Sequence, residues 1–512
     1  MQPRPCLAAR SAGAMARRID GCTGRAACAP GTRSDTVGGL IVTPRPSSRL
    51  AAVVPALIAA LAASLLAIPQ AASVRIGWRD LTPVQATLRA SGLSEASFDV
   101  YVARVAAENL QRVREGDLDH LVYYLLQSTR ISSAPAIEPA LSARQLVEGL
   151  DADRRAAFLR GDGAAAPPVP PEVTARIAAL LRAVQTRSGD ARLTSFAALL
   201  DTAYPDPATR AAGVAAEYLR VMRFLYQKEF VAQRDAAPAA AVAELYRHRG
   251  LSTDTAIEAG YVVHLGLGVL KALEPARRVR RVLIVGPGLD LAPRTGLDES
   301  AAPESYQPWA VLDSLVSLGL GTAGDLDIVA ADINPRVVAH LARVREHPPV
   351  LRLASSLHES PALSLSPEYR DYVDRVGSAL SNIAAGARDL GNGQRGKTLS
   401  VSPLAARTVR AAALDIVTQR LDDERFDLIV ATNILPYFDD PQLALAVANI
   451  AAMLAPGGAF LHNEQRPLIG DLAAAAGLPL QQSRHAVIAT VTGARAPLYD
   501  SVFLHVRSAA AR

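Results

Sequence analysis

Two segments in the second half of the chain constrain its fold more than anything else in it: VLIVGPGLD at 282–290 and FDLIVATNILPYFDDPQLALAVANIAAMLAPGG at 426–458. The first opens with a Val/Leu/Ile run that has no polar alternation, which reads as a strand buried on both faces of a parallel sheet. It breaks at Gly286 and Gly288, where a missing side chain lets the backbone turn sharply and approach a ligand closely. The second reads as a buried strand, a polar loop, an amphipathic helix and a Pro-Gly-Gly stop at 456–458. Together they predict an α/β domain with a nucleoside site at the carboxyl ends of its strands.

The residues between and after these segments extend the pattern. DLDIVAADINPRVVAHLARV at 325–344 reads as a strand ending in Asp332, followed by a helix. An acidic side chain there can accept hydrogen bonds from both ribose hydroxyls. It can equally cap the helix that Pro335 helps to start, and the two roles are compatible. Ala411–Leu414 is a short strand ending at Asp415, which can accept from an adenine amino group while Ile416 lies on the ring; a plain turn role for Asp415 stays open. The last segments, SRHAVIATVTG and PLYDSVFLHVRS, predict a closing antiparallel hairpin. Before the first strand, Thr255-Ala-Ile-Glu258 fits a capping box, and Ser252, Thr253 and Asp254 stand as ligand candidates on a loop running toward the glycine turn.

Residues 74–260 read as a helical domain, with apolar groups at three- and four-residue spacing and Tyr123, Tyr124, Phe224, Tyr226 and Phe230 as core. This half shows no catalytic signature. Residues 1–49 form an aperiodic Arg/Pro/Gly-rich leader or an over-extended start. Residues 50–73 then carry the uncharged run LAAVVPALIAALAASLLAIP behind Arg45 and Arg49, which predicts a signal peptide or membrane anchor and an exported or membrane-anchored protein. With a mis-assigned start the protein is cytoplasmic. Cys6, Cys22 and Cys28 all precede residue 50, so the folded body has no disulfide, thiolate nucleophile or Cys-ligated metal. The formal charge is only +5, and no Lys/Arg run interleaved with aromatics supports nucleic-acid binding. No His or carboxylate cluster has metal-ligand spacing, so no metal is expected.

On VLIVGPG, ADINPRVV, ALDI and the 426–458 segment, residues 272–512, within a domain spanning 261–512, resemble the class I S-adenosylmethionine-dependent methyltransferases. The resemblance implies a Rossmann-like, seven-stranded, mostly parallel sheet with a C-terminal antiparallel hairpin, carrying an insertion at about 346–408. It implies S-adenosyl-L-methionine as cofactor, with Gly286 and Gly288 approaching the methionine part, Asp332 the ribose, and Asp415 with Ile416 the adenine. Asn433 falls beside the transferable methyl, and Asp290 takes the place of a third glycine. In the insertion, SPEYRDYVDRVG predicts a helix and GARDLGNGQRGKT a mobile loop. Methyl transfer needs alignment more than proton chemistry, so the lack of a triad is no objection. Tyr437, His462 and Glu464 lie at strand ends but read as structural, no catalytic residue is assigned, and the acceptor is unknown. Two other classes fit less well: a non-catalytic envelope protein with a degenerate fold of this kind, and an aminopropyl transferase.

Overall fold

The computed structural model describes residues 73–186, 189–292, 297, 299, 301–381, 386–391 and 393–508. All of them belong to one compact unit. The apolar segment 50–69 lies outside the described residues, and among these no helix is long and apolar enough to cross a membrane.

The strands, in chain order, are β1 (Ser73–Arg75), β2 (Arg281–Val285), β3 (Asp327–Asp332), β4 (Val350–His358), β5 (Leu363–Leu365), β6 (Arg388–Asp389) and β7 (Gln394–Ser400). They continue with β8 (Val409–Ala413), β9 (Gln419–Leu421), β10 (Phe426–Ala431), β11 (Leu454–His462), β12 (Leu480–Val491) and β13 (Leu498–Val506). The main sheet has eight strands in the order β5-β12-β13-β11-β10-β2-β3-β8. From β8 to β11 all pairings are parallel, and β13, β12 and β5 run antiparallel at the other edge. The closing hairpin is β12–β13. The count exceeds the expected seven by one, because β5 comes from the insertion and adds an edge strand to the hairpin.

The unbroken apolar runs of β2 and β10 occupy the sheet centre, where both faces are covered and no polar alternation is tolerated. The helix Ile257–Leu273 lies over the strands on one face. At Gly266 an added Cβ would stand 2.4 Å from Leu461 Cδ1 and 2.7 Å from Val502 Cγ2, so this glycine sets how closely helix and sheet approach.

Three local expectations are corrected. The helix at 257 is capped by the Ala256 backbone, not by a Thr255–Glu258 box, because Glu258 points its carboxylate to Ser355, Ser356 and Tyr369. Pro456-Gly457-Gly458 does not terminate the helix Asp440–Met453, which ends at Met453; it forms an irregularity inside β11, where pairing with β10 jumps from Phe426↔Leu454 to Leu428↔Ala459. The insertion holds the expected helix, Pro367–Arg375 with Ser366 as cap. The stretch expected as a loop supplies β6 and most of β7, which join β4 in a separate three-stranded sheet.

Between β1 and the helix at 257 the chain is helical, dominated by the 33-residue helix Glu95–Gln127. Tyr123, Tyr124, Phe224 and Tyr226 are buried, and Phe230 packs against the same core. Polar bonds tie this half to the sheet at its ligand end. Asp117 of the long helix forms an ion pair with Arg336 and accepts from Asn334 Nδ2 at 3.0 Å.

Candidate functional site

A cavity of about 480 Å³ opens where β2, β3, β8, β10 and β11 end, within the usual range for small-molecule sites. Six of the seven residues that the resemblance assigns to the cofactor loop and strand ends line it: Gly286, Gly288, Asp332, Asp415, Ile416 and Asn433. Asp290 does not. Its backbone forms a bridge with Glu304, its N–H donating to Glu304 O at 2.8 Å, and the side chain stays out of the cavity lining. Burial, reinforced by the negative charges of Asp254 and Glu304, pushes its carboxyl well above the usual range.

Gly286 and Gly288 have φ of +69° and +75°, which only glycine adopts without strain. At Gly288 the reason for glycine is also steric: an added Cβ would lie 2.3 Å from Thr253 O and 2.5 Å from Thr255 Oγ1. The 253–255 loop is zipped onto the glycine turn, with Leu289 N donating to Thr253 O at 2.9 Å and Thr253 Oγ1 donating to Leu289 O at 2.7 Å. Ser252, Thr253 and Asp254 line the cavity, so they shape it while bracing the turn.

Asp332 ends β3 with its carboxylate turned back on the site. Oδ1 accepts from Asn334 N at 2.8 Å and Oδ2 from Gly288 N at 3.4 Å. The cap of the following helix is Asn334, whose Oδ1 accepts from Arg336 N, so Asp332 is left to the cavity. Burial raises its pKa to about 6, against the opposing effect of these backbone donors.

Asp415 forms a turn and lines the cavity at once. It accepts from Val417 N at 3.0 Å, Thr418 Oγ1 at 2.7 Å and Asn109 Nδ2 at 3.1 Å. Asn433 sits at φ +62°, an uncommon conformation for a residue other than glycine. It is held there by Asn463, which accepts from its backbone N–H at 2.9 Å and donates to its Oδ1 at 2.7 Å.

Glu464 and Tyr437 also line the cavity. Glu464 accepts from Arg466, whose guanidinium donates to Phe438 O at 2.8 Å and Leu435 O at 2.7 Å and so fixes the loop after β10. His462 is fully buried outside the cavity lining, stacked on His505 with its Nε2 3.0 Å from that of His505. Among the described residues no group of three or more His, Cys, Asp or Glu is placed to hold a metal.

The largest addition to the sequence reading comes from the helical half. The helix Pro238–Arg247 covers the cavity through Val242, Ala243 and Tyr246, with the Tyr246 ring edge-on to Tyr437 at 5.3 Å. Asn109 and Val113 of the long helix complete the wall. No local signal marks these residues, because an Asn or Tyr on an amphipathic helix looks the same whether it faces a core or a cavity.

No family model and no curated protein matches the chain. Solved structures do resemble about half of it. N-methyltransferase NodS from Bradyrhizobium japonicum WM9, in complex with S-adenosyl-L-homocysteine, is 14% identical over 48% of this chain and 87% of its own, with a TM-score of 0.25. A TehB-like SAM-dependent methyltransferase from Corynebacterium glutamicum is 13% identical over 48% of this chain and 88% of its own, with a TM-score of 0.23. Magnesium protoporphyrin IX methyltransferase (ChlM) from Synechocystis PCC 6803, with bound SAM, is 10% identical over 49% and 81%, with a TM-score of 0.25.

Proposed function

We propose that this cavity binds S-adenosylmethionine and that the chain is a methyltransferase of class I architecture, its seven family strands extended by the edge strand β5. The observation that carries this reading is Asp332. A buried carboxylate at the end of the strand beside the glycine turn, held by two backbone donors, lines a cavity that Asp415 and Ile416 bound at the neighbouring strand end. That acceptor set fits a nucleoside: a carboxylate for ribose hydroxyls, and an acidic side chain with an apolar neighbour for adenine. The glycine turn brings backbone, not side chains, to the methionine end.

The bound cofactor supplies a methyl group already activated on a sulfonium. The chain's own task is then to bind, orient and exclude water. Asp332 braces the glycine turn, Asn463 holds Asn433 at the central strand end, and Tyr246 and Tyr437 close an apolar roof. Alignment of this kind is worth several orders of magnitude without any acid–base residue.

The test is calorimetric titration of the full chain with S-adenosylmethionine, with Asp332→Ala as control. Micromolar binding that Asp332→Ala weakens supports the reading. No binding at millimolar ligand would sink it.

A further inference from the structure

Glu258 lies in the first turn of the helix Ile257–Leu273, lines the cavity, and is only 6% exposed. Its two carboxylate oxygens are treated unequally. Oε1 accepts from Tyr369 OH at 2.7 Å, Ser356 N at 2.9 Å and Ser355 Oγ at 3.1 Å. Oε2 is buried and accepts from nothing among the described residues. The three donors to Oε1 fix the carboxylate in one orientation, and a withdrawn anionic oxygen without a donor is costly to keep.

Among the described residues Glu258 has no ion pair, and the two arginines of the cavity wall are committed elsewhere. Arg247 donates to Glu244 at 2.7 Å, and Arg466 serves Glu464 and the 435–438 loop. A cationic N–H donor on a ligand satisfies both the open acceptor and its charge. The donors to Oε1 come from β4 and from the helix that follows β5, and Ile488 of β12 shares the cavity wall. Since β5 and β12 form the edge opposite β8, Glu258 serves the end of the cavity away from Asp415. Tyr246, Tyr437 and Phe438 in the same lining suit a ligand with an apolar body.

We infer that Glu258 is a binding group for an alkylammonium, with Oε2 accepting its N–H. Two ligands present that chemistry in this cavity: the amino group of the cofactor's methionine part, and an amine acceptor.

Calorimetry on the full chain and on Glu258→Gln, which keeps the size and removes the charge, separates them with three probes. These are S-adenosylmethionine, methylthioadenosine (the same nucleoside without the amino acid) and benzylammonium chloride. The expected result is about a tenfold or greater loss of affinity for one ammonium probe in the variant, with methylthioadenosine unchanged. A loss on S-adenosylmethionine assigns the site to the cofactor's amino group; a loss on benzylammonium alone assigns it to an amine acceptor. Equal behaviour of wild type and variant toward both ammonium probes, including no binding by either, overturns the inference. If the wild type binds neither nucleoside, only the cofactor reading fails, because benzylammonium still reads Glu258. Should Glu258→Gln melt as an unfolded chain, Glu258→Met, which also removes the charge at similar size, takes its place with the same outcomes.

Discussion

The carboxylate of Asp332 accepts from the amide of Gly288, with Oδ2 3.4 Å from the Gly288 nitrogen, which ties the end of β3 to the turn after β2. This one contact couples the proposed ribose acceptor to the loop that approaches the methionine part. It also makes the site sensitive to pH. Burial holds the Asp332 pKa at about 6, above the ordinary 3.8. The folded state thus binds this proton more tightly than the unfolded one. Ionising Asp332 costs folding stability about 3 kcal/mol, a cost that builds between the two values and persists above them. Ligand binding has the opposite preference, since only the carboxylate accepts two hydroxyls. We expect S-adenosylmethionine affinity to fall as pH drops through about 6, and Asp332→Ala to bind weakly with that step gone. Calorimetry at a series of pH values between about 5 and 7, on the order of a unit either side of the group's titration, checks both.

Gly288 is expected to be the least replaceable residue of the turn. An added Cβ there meets backbone, Thr253 O at 2.3 Å, whereas at Gly286 it meets only a side chain, the Ile434 Cγ2 methyl at 2.4 Å. Both substitutions also impose strain at positive φ. Gly288→Ala should cost about 3 kcal/mol or more and Gly286→Ala distinctly less. Denaturant unfolding of both variants measures the order, and a reversal would show that the 253–255 loop yields easily.

The buried His462–His505 pair should make the fold acid-sensitive. His505 Nδ1 donates to Leu478 O at 2.9 Å, so its neutral Nε2 accepts from His462 Nε2–H, and His462 Nδ1 accepts from Glu464 N at 3.1 Å. Protonating either ring sets N–H against N–H. Burial, and for His462 also the neighbouring His505, lowers both below the ordinary 6.5. The unfolded chain therefore takes up these protons first, and stability is lost as pH falls below 6.5. Buried carboxylates with raised pKa act in the opposite direction, so a variant must isolate the effect. Between pH 7.5 and 5.5, on the order of one unit either side of the unfolded value, wild type should lose at least about 1 kcal/mol more than His462→Phe/His505→Phe. Equal losses in denaturant unfolding would count against the pairing.

Asn109 tests whether the helical half belongs to the site. Its Nδ2 lies 3.1 Å from Asp415 Oδ2, across 306 residues of sequence. Asn109→Ala removes a donor to that carboxylate and should weaken S-adenosylmethionine binding about five- to tenfold, equivalent to about 1 kcal/mol, with little change in melting temperature. Unchanged affinity would mean that the long helix serves only as scaffold.

What could be read along the chain follows from the range of the forces involved. Gly286, Gly288, Asp332, Asp415, Ile416 and Asn433 were recognisable because each sits at the end of a buried apolar run, and the ends of parallel strands meet at one edge of a sheet. Asp290 lies only two residues past Gly288, yet it forms a bridge with Glu304 and stays out of the cavity lining. Nothing in GPGLD signals that bridge, because Glu304 lies beyond an intervening segment. The Pro-Gly-Gly at 456–458 carries the local marks of a helix stop, but the pairing of β11 with β10 absorbs it as a strand irregularity.

By itself the sequence determined the α/β class, the strand ends that carry the acidic groups, and the closing hairpin. These depend on period and turn chemistry, which act within a few residues. Only the tertiary structure decided that β5 joins the sheet, that the helix Pro238–Arg247 roofs the cavity, and that Glu258 faces it with one carboxylate oxygen unpartnered among the described residues. Those outcomes are set by which distant surfaces bury each other best, and that sum over the whole chain is not written in any one segment.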